Sequence, residues 1–246
     1  MSAADNVSAF TAKLVNRFEV AERTIAFRFE KPPNWTFKAG QFIEVSLIDP
    51  PETDEEGNTR TFSIASAPSE PAIMVATRFR DSAFKRVLNS APVNTPVKIE
   101  GPFGDLTLHN NTSRPAVFLS GGIGITPLRS ILVRAAREKL AHKIYLFYSN
   151  RRPEDAAFLD EMVMLQKDNA NFTFVPTMTQ MAESKRSWEG ETGKIDQKLM
   201  SKYLKNVKSA IYYITGPAGM VSGLHAVLNG AGIDDDDIRV EEFSGY

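Results

Sequence analysis

The sequence predicts two domains of different architecture. An antiparallel β-barrel is expected over residues 1–112, followed over 113–246 by an α/β domain with a doubly wound parallel sheet. Three observations carry this expectation. The first half holds several short strand-like runs separated by prolines and glycines, the pattern of an antiparallel sandwich or barrel. The second half alternates apolar runs with segments of helical period, which argues for a parallel sheet with helices on both faces. The polar stretch Asn110–Pro115 separates the two.

In the first half, Ala12–Glu19 and Thr24–Glu30 read as strands broken at Ala21–Arg23, and Gln41–Ile48 sets Phe42, Ile43, Val45 and Leu47 among polar residues. Arg60–Ala65, Ile73–Phe79 and Val97–Glu100 continue the pattern, punctuated at Pro32-Pro33, Ala39-Gly40, Pro50-Pro51 and Gly101-Pro102. One helix is predicted at Ser82–Asn89, because Phe84, Val87 and Leu88 share a face at helical spacing.

In the second half, Ala116–Leu119 is an apolar strand. A helix follows, with Thr126 suited to the N-cap, Pro127 to the first helical position, and Leu128, Ile131, Leu132, Ala135 and Ala136 on one side. Ile144–Tyr148 is the next strand, and Glu154–Gln166 a helix burying Phe158, Leu159, Met162 and Leu165. Phe172–Pro176, Ile211–Thr215 and Ile238–Phe243 complete the strands, with helices near Asp196–Leu204 and Gly219–Leu228. Asp234–Asp237 reads as a solvated turn before the last strand.

Composition narrows the function classes. Hydrophobic residues at 42% and charged residues at 24% predict a packed core rather than disorder. A net charge of −1 gives no electrostatic reason to expect nucleic acid or an anionic membrane as partner. Without cysteine, this chain holds no disulfide, thiolate zinc site or cysteine-ligated iron–sulfur cluster. His109, His142 and His225 lack short ligand spacing and read as surface or packing residues, so no metal site is expected. The N-terminus lacks the features of a signal peptide and no apolar run approaches the ~20 residues of a membrane span, which makes a cytoplasmic location the default expectation.

Two segments join a strand to a helix through glycines. Phe118–Pro127 contains Gly121, Gly122 and Gly124, then Ile125, Thr126 and Pro127; Thr215–Met220 contains Gly216 and Pro217. Glycine lets a backbone turn tightly and approach a phosphate, and the helix start offers N–H groups and a favourable dipole to an anion. The first segment departs from the usual dinucleotide fingerprint, since Pro127 stands where its last glycine would be. A tight strand-to-helix turn without a ligand is the plain alternative. In Arg60–Ser66, strand alternation puts Arg60 and Phe62 on one side and Thr61 and Ser63 on the other. Gly101–Asp105 is a turn by composition.

Taken in order, RTFSIAS, GPFGD, GGIGITP, TGPAGM and the terminal EEF resemble the ferredoxin–NADP reductase-like family over nearly the whole chain, from about Phe10 to Tyr246. The resemblance implies an FAD-binding β-barrel followed by a nicotinamide-binding α/β domain. It implies that Arg60 holds the FAD pyrophosphate, that Phe62 stacks on the flavin, and that Ser63 lies near flavin N5, with Thr61 in the same motif. It places Thr77, Arg78, Ser82, Ala83 and Phe84 in a second FAD-contacting stretch, in which Asp81 replaces a family glycine. On the nicotinamide side it implies Gly121, Gly122, Gly124, Ile125, Thr126, Pro127, Gly216, Pro217 and Met220, with Thr126 near the flavin edge. Glu241 and Phe243 match the terminal motif, and Tyr246 is either a shield for the flavin or a disordered end. Ser63, Thr126 and Glu241 are the residues expected to act in the reaction.

The implied activity is hydride transfer from NAD(P)H to FAD N5, with reacting atoms brought to ~3–3.5 Å, followed by electron release to an acceptor. Ser149, Arg151 and Arg152, after the strand ending at Tyr148, are placed to read the ribose phosphate of NADPH, which tilts the expected donor slightly that way; a charged loop before a helix is the plain alternative. With no cysteine and no spare length, the reductase is expected to be the whole protein. Its acceptor is then a separate ferredoxin, flavodoxin or oxygenase component, or a small molecule. Two other readings stand beside it: a flavin reductase that releases reduced flavin, and a non-catalytic dinucleotide-binding regulatory subunit.

Overall fold

The computed structural model describes residues 7–243. The chain divides into two compact units. One runs to Thr107 and includes Thr126–Arg134; the other holds Leu108–Ile125 and the chain from Ala135 onward.

The first unit contains β1 (Ser8–Ala21), β2 (Thr24–Glu30), β3 (Phe42–Leu47), β4 (Thr59–Ser63), β5 (Ala72–Arg78), α1 (Ala83–Ser90) and β6 (Pro96–Phe103). The strands form one six-stranded sheet in the order β4-β3-β6-β1-β2-β5, every neighbouring pair antiparallel. Long β1 pairs with β6 along its first part and with β2 along its second, with register shifts near Leu14 and Glu19 that bend it. Past the edge strand β4, the amides of Ala65 and Ser66 donate to Met74 O of β5, the other edge strand, at 2.7 and 3.3 Å. Inside lies a core of alternating strand residues, including Leu14, Phe29, Ile43, Val45, Ile73 and Ile99, closed on one side by Phe84 and Leu88 of α1. Ser82 caps α1 by accepting from Lys85 N–H.

The second unit contains β7 (Ala116–Gly121), the two ends of α2 (Ile125–Arg137), whose stretch Thr126–Arg134 belongs to the first unit, β8 (Ile144–Asn150), α3 (Leu159–Asp168), β9 (Phe172–Met178), β10 (Glu191–Thr192), α4 (Gln197–Tyr203), β11 (Ile211–Pro217), α5 (Ala218–Gly230) and β12 (Ile238–Phe243). Its sheet runs β10-β9-β8-β7-β11-β12, all parallel. The chain steps outward from β7 through β8 and β9, then returns to β11 on β7's other side. The order therefore reverses between β7 and β11, the place where open α/β sheets bind ligands beyond the carboxyl ends of their strands. Every residue of β7 is buried, as a strand covered on both faces requires.

Several expectations are corrected. Helix α2 begins at Ile125, directly after a 3-10 turn at Gly122–Gly124, so Thr126 and Pro127 lie inside the helix and not at its cap. Burial is not confined to one side of α2 either: Arg129 and Ser130 are as buried as Leu128 and Ile131. The polar pair is tied down within the first unit, Ser130 Oγ donating to Ser66 O (2.6 Å), and Arg129 to Ala65 O (2.7 Å) and Glu70 (2.9 Å). Helix α3 starts at Leu159, because Phe158 is left-handed (φ 58°) and Pro153–Asp155 is a separate 3-10 turn; Leu165 is only half-buried. The acidic run 234–237 is not wholly solvated, since Asp237 takes both Nη atoms of Arg114 at 2.7 and 2.6 Å. His109 and His142, by contrast, are packing residues as the sequence allowed, both buried, with His142 Nε2 2.7 Å from His109 O and His109 Nδ1 3.0 Å from Tyr213 Oη.

Candidate functional site

In the first unit, the alternation of β4 places Arg60 and Phe62 on the side that meets α1. The Arg60 guanidinium lies 5.2 Å from the Phe84 ring centroid, and Phe62 lies 5.9 Å from the same ring. Thr61 is exposed and Ser63 buried on the other side. Arg60 Nη1 donates to the carbonyls of Glu56, Gly57 and Thr59 at 2.8–3.0 Å. Its Nη2 meets Asp54 at 3.2 Å and Glu56 at 2.8 Å. The second carboxylate oxygen of Asp54 accepts the N–H of Ala83, the first residue of α1, at 2.8 Å. That amide, with Arg60 beside it, holds the Asp54 carboxyl below its ordinary range. A guanidinium and a helix N-terminus thus converge on one anion, the chemistry an FAD diphosphate needs.

The second predicted stretch is arranged around the same helix. Thr77 is buried, with Oγ1 3.3 Å from Arg78 O, and Arg78 O also accepts from Lys85 Nζ at 2.9 Å. Asp81 pairs with Arg86. Phe84 is 1% exposed, so its ring belongs to the core and its backbone is what it can offer a ligand.

In the second unit the two glycine-bearing turns stand side by side at the carboxyl ends of β7 and β11, flanking the point where the strand order reverses. A Cβ on Gly124 would lie 2.5 Å from Thr215 O and 2.8 Å from Gly216 N, and one on Gly121 would lie 2.1 Å from Met220 Sδ. Only glycine lets the turn after β7 close on the turn after β11. Tyr148 of β8 fixes it from the other side, its hydroxyl donating to Gly122 O at 2.8 Å. Ser120, Thr215 and Glu241 are register partners across β7, β11 and β12, with Thr215 Oγ1 3.2 Å from Ser120 Oγ. Phe243 is paired in register with Pro217 and is half-buried. Of the residues expected to act in the reaction, Ser63 and Thr126 belong to the first unit and Glu241 to the second. Tyr246 lies outside the described residues.

At the end of β8, Arg151 is exposed and Ser149 half-buried. Arg152 is not available as expected, because its Nε and Nη2 clasp the buried Asp155 at 2.8 and 3.0 Å. Asn150 is 6% exposed, and neither atom of its side-chain amide has a hydrogen-bond partner among the described residues. The loop after β9 folds over this end: Gln180 N–H donates to Arg151 O, while Glu154 accepts from Ser184 Oγ, Lys185 N–H and Arg186 N–H at 2.8–3.2 Å. Partial desolvation pushes the Glu154 carboxyl up, but its own backbone N–H and these donors together outweigh it and hold it at about 2.

Sequence reasoning missed Asp54, Tyr148 and Asn150. A tyrosine closing an apolar strand signals that its buried hydroxyl needs a partner; the partners of Asp54 lie in distant elements, and no local pattern reveals them.

Comparison with known proteins agrees with this architecture. Residues 118–226 match the model of the oxidoreductase NAD-binding domain. One component of the Na(+)-translocating NADH-quinone reductase of Pseudoalteromonas atlantica is 32% identical over 151 residues, covering 60% of this chain and 36% of that protein. The reductase component of propane 2-monooxygenase from Rhodococcus jostii is 25% identical over 219 residues, 87% of this chain and 57% of that protein. The chain therefore spans roughly a third to a little over half the length of these relatives. A crystal structure of a ferredoxin NADP+ reductase from Neisseria gonorrhoeae with bound FAD and NADP shares the fold, with a TM-score of 0.77 at 21% identity over 95% of this chain and 98% of that one. Residues 118–226 thus carry an oxidoreductase NAD-binding domain, and the antiparallel sheet followed by the parallel one shares the two-domain fold of ferredoxin–NADP reductase-like proteins.

Proposed function

We propose that this chain is an FAD-dependent NAD(P)H oxidoreductase, with residues 1–112 as the FAD-binding domain and 113–246 as the NAD(P)-binding domain, that hands electrons to a separate acceptor. The observation that carries this reading is the pair of turns at Gly121–Gly124 and Gly216–Met220, packed too closely for any Cβ at Gly124 and placed where the strand order reverses. Their backbone amides bind the dinucleotide phosphates, while Met220 packs over Gly121. In the other domain Arg60 and the Ala83 amide hold the FAD diphosphate, and Phe62 offers its ring to the flavin. Ser63 hydrogen-bonds near flavin N5, Thr126 positions the nicotinamide, and Glu241 holds a proton at the flavin edge. FAD, when bound, accepts a hydride and releases its electrons singly or as a pair.

The bidentate Arg152–Asp155 pair weakens the case for NADPH, which now rests on Arg151, Ser149 and the open amide of Asn150. The acceptor is proposed to be a ferredoxin, flavodoxin or oxygenase component, in line with the relative that serves propane 2-monooxygenase as its reductase component. No helix among the described residues is long and apolar enough to cross a membrane.

The test is steady-state oxidation of NADPH and NADH by FAD-reconstituted protein with ferricyanide as artificial acceptor. Turnover without added free flavin is expected. A rate that appears only with excess flavin and saturates in it would instead indicate a flavin reductase, and FAD binding without turnover a regulatory role.

A further inference from the structure

The loop between β3 and β4 is held down by its own acids. Glu52 takes Arg86 Nε and Nη2 at 3.0 and 2.8 Å, Asp54 bridges Arg60 Nη2 and Ala83 N–H, and Glu56 pairs with Arg60 Nη2 at 2.8 Å. All these residues lie in the first unit. The loop therefore places a carboxylate on the two groups that make the anion-binding position at the start of α1. Both Nη atoms of Arg60 are already engaged, Nη1 by three carbonyls and Nη2 by two carboxylates. A diphosphate brought there meets Asp54 and Glu56 as like charges and finds the Ala83 amide already taken.

We infer that the 52–56 loop is a built-in competitor of the flavin diphosphate, and that Asp54 must leave Arg60 and the Ala83 amide before FAD seats, so that Asp54 sets the affinity for FAD and keeps it exchangeable. The inference rests on the reading that Arg60 and α1 hold the FAD diphosphate. The fastening is of the right strength for a gate. Its outer pairs are solvent-exposed, with Glu56 at 73% and Glu52 and Arg86 both at 43%, and exposed pairs contribute little each. The inner contact, with Arg60 at 17% and Asp54 at 32% exposure, is the one that opposes opening. A ligand whose binding-competent state is only partly populated binds more weakly by that fraction. Within the loop, Gly57, at φ 73°, closes a turn by donating to Asp54 O at 2.9 Å, and a Cβ there would meet nothing within 4 Å. The device also selects: a phosphate-bearing flavin gains by displacing Asp54, and riboflavin, with no phosphate, does not.

The experiment titrates flavin-free protein with FAD and with riboflavin by flavin fluorescence, in the wild type and in Asp54→Asn and Glu52→Gln. Hydrogen exchange of segment 51–58 is followed in the wild type with and without FAD. Asp54→Asn is expected to lower the Kd for FAD about ten-fold and to leave riboflavin unchanged. Glu52→Gln, which loosens the loop without touching the anion position, is expected to move FAD the same way by about two- to three-fold, and serves if the Asp54 variant does not fold. FAD should speed exchange in 51–58. An unchanged or raised Kd for FAD in both variants, or exchange in 51–58 that FAD leaves unchanged or slows, overturns the inference while the flavin site stands. Wild-type protein that binds no FAD overturns the flavin reading itself.

Discussion

Gly124 shows how much of the proposed site hangs on single atoms. A methyl group there would sit 2.5 Å from Thr215 O, backbone against backbone, so β7 and β11 would have to part. Gly124→Ala is expected to cost about 1–3 kcal/mol in urea unfolding. It should also slow NAD(P)H oxidation by up to about a hundred-fold, since small displacements of a positioning turn are expensive. Arg60→Ala removes the cation beside the Ala83 amide and is expected to raise the Kd for FAD by about ten- to a hundred-fold, read from flavin retention on a desalting column or by fluorescence titration. The placement of these residues was legible, because strand alternation assigns Arg60 and Phe62 to one side and the glycines mark a tight strand-to-helix turn. Asp54 was not. Its importance comes from a loop folding back onto β4 and α1, a contact that neither spacing nor composition encodes.

Helix α2 carries the corresponding lesson for elements. Its apolar stripe announced a helix packed on one side, yet Arg129 and Ser130 on its other side are buried too, because Glu70 and the carbonyls of Ala65 and Ser66 supply partners. Sequence periodicity reads burial from side-chain type and cannot see a buried arginine whose partner lies elsewhere in the chain. Arg129 is 5% exposed and Glu70 14%, so removing one partner strands the other. Arg129→Met is expected to destabilise by about 3–5 kcal/mol in urea unfolding, and adding Glu70→Gln should recover part of that loss. Helix α3 failed for a different reason. Phe158 adopts a left-handed conformation that an apolar pattern gives no hint of, and the predicted helix splits there into a 3-10 turn and a later α-helix.

For the whole molecule, the change from Pro- and Gly-punctuated strands to alternating strands and helices foretold two sheets of opposite kind, because strand connectivity leaves its period in the sequence. What it did not foretell is the internal pairing that neutralises expected ligand-binding charges, Arg152 by Asp155 and Arg60 by Asp54. Glu154, held at about 2 by hydrogen bonds and so below the ~4.3 of an unfolded chain, is expected to contribute to global stability. Its contribution is fully present above about pH 4.3 and is lost as pH falls toward 2. The urea midpoints of wild type and Glu154→Gln should therefore differ at pH 7 and 5, with the gap narrowing as the pH is lowered from about 4 toward 2. The central claim is that the chain passes hydride from a nicotinamide dinucleotide to a bound flavin. Anaerobic titration of FAD-loaded protein with NADPH, and in parallel NADH, tests it most directly. The visible flavin band is expected to bleach with about one equivalent of at least one donor. A flavin that stays bound and coloured in excess of both would contradict it.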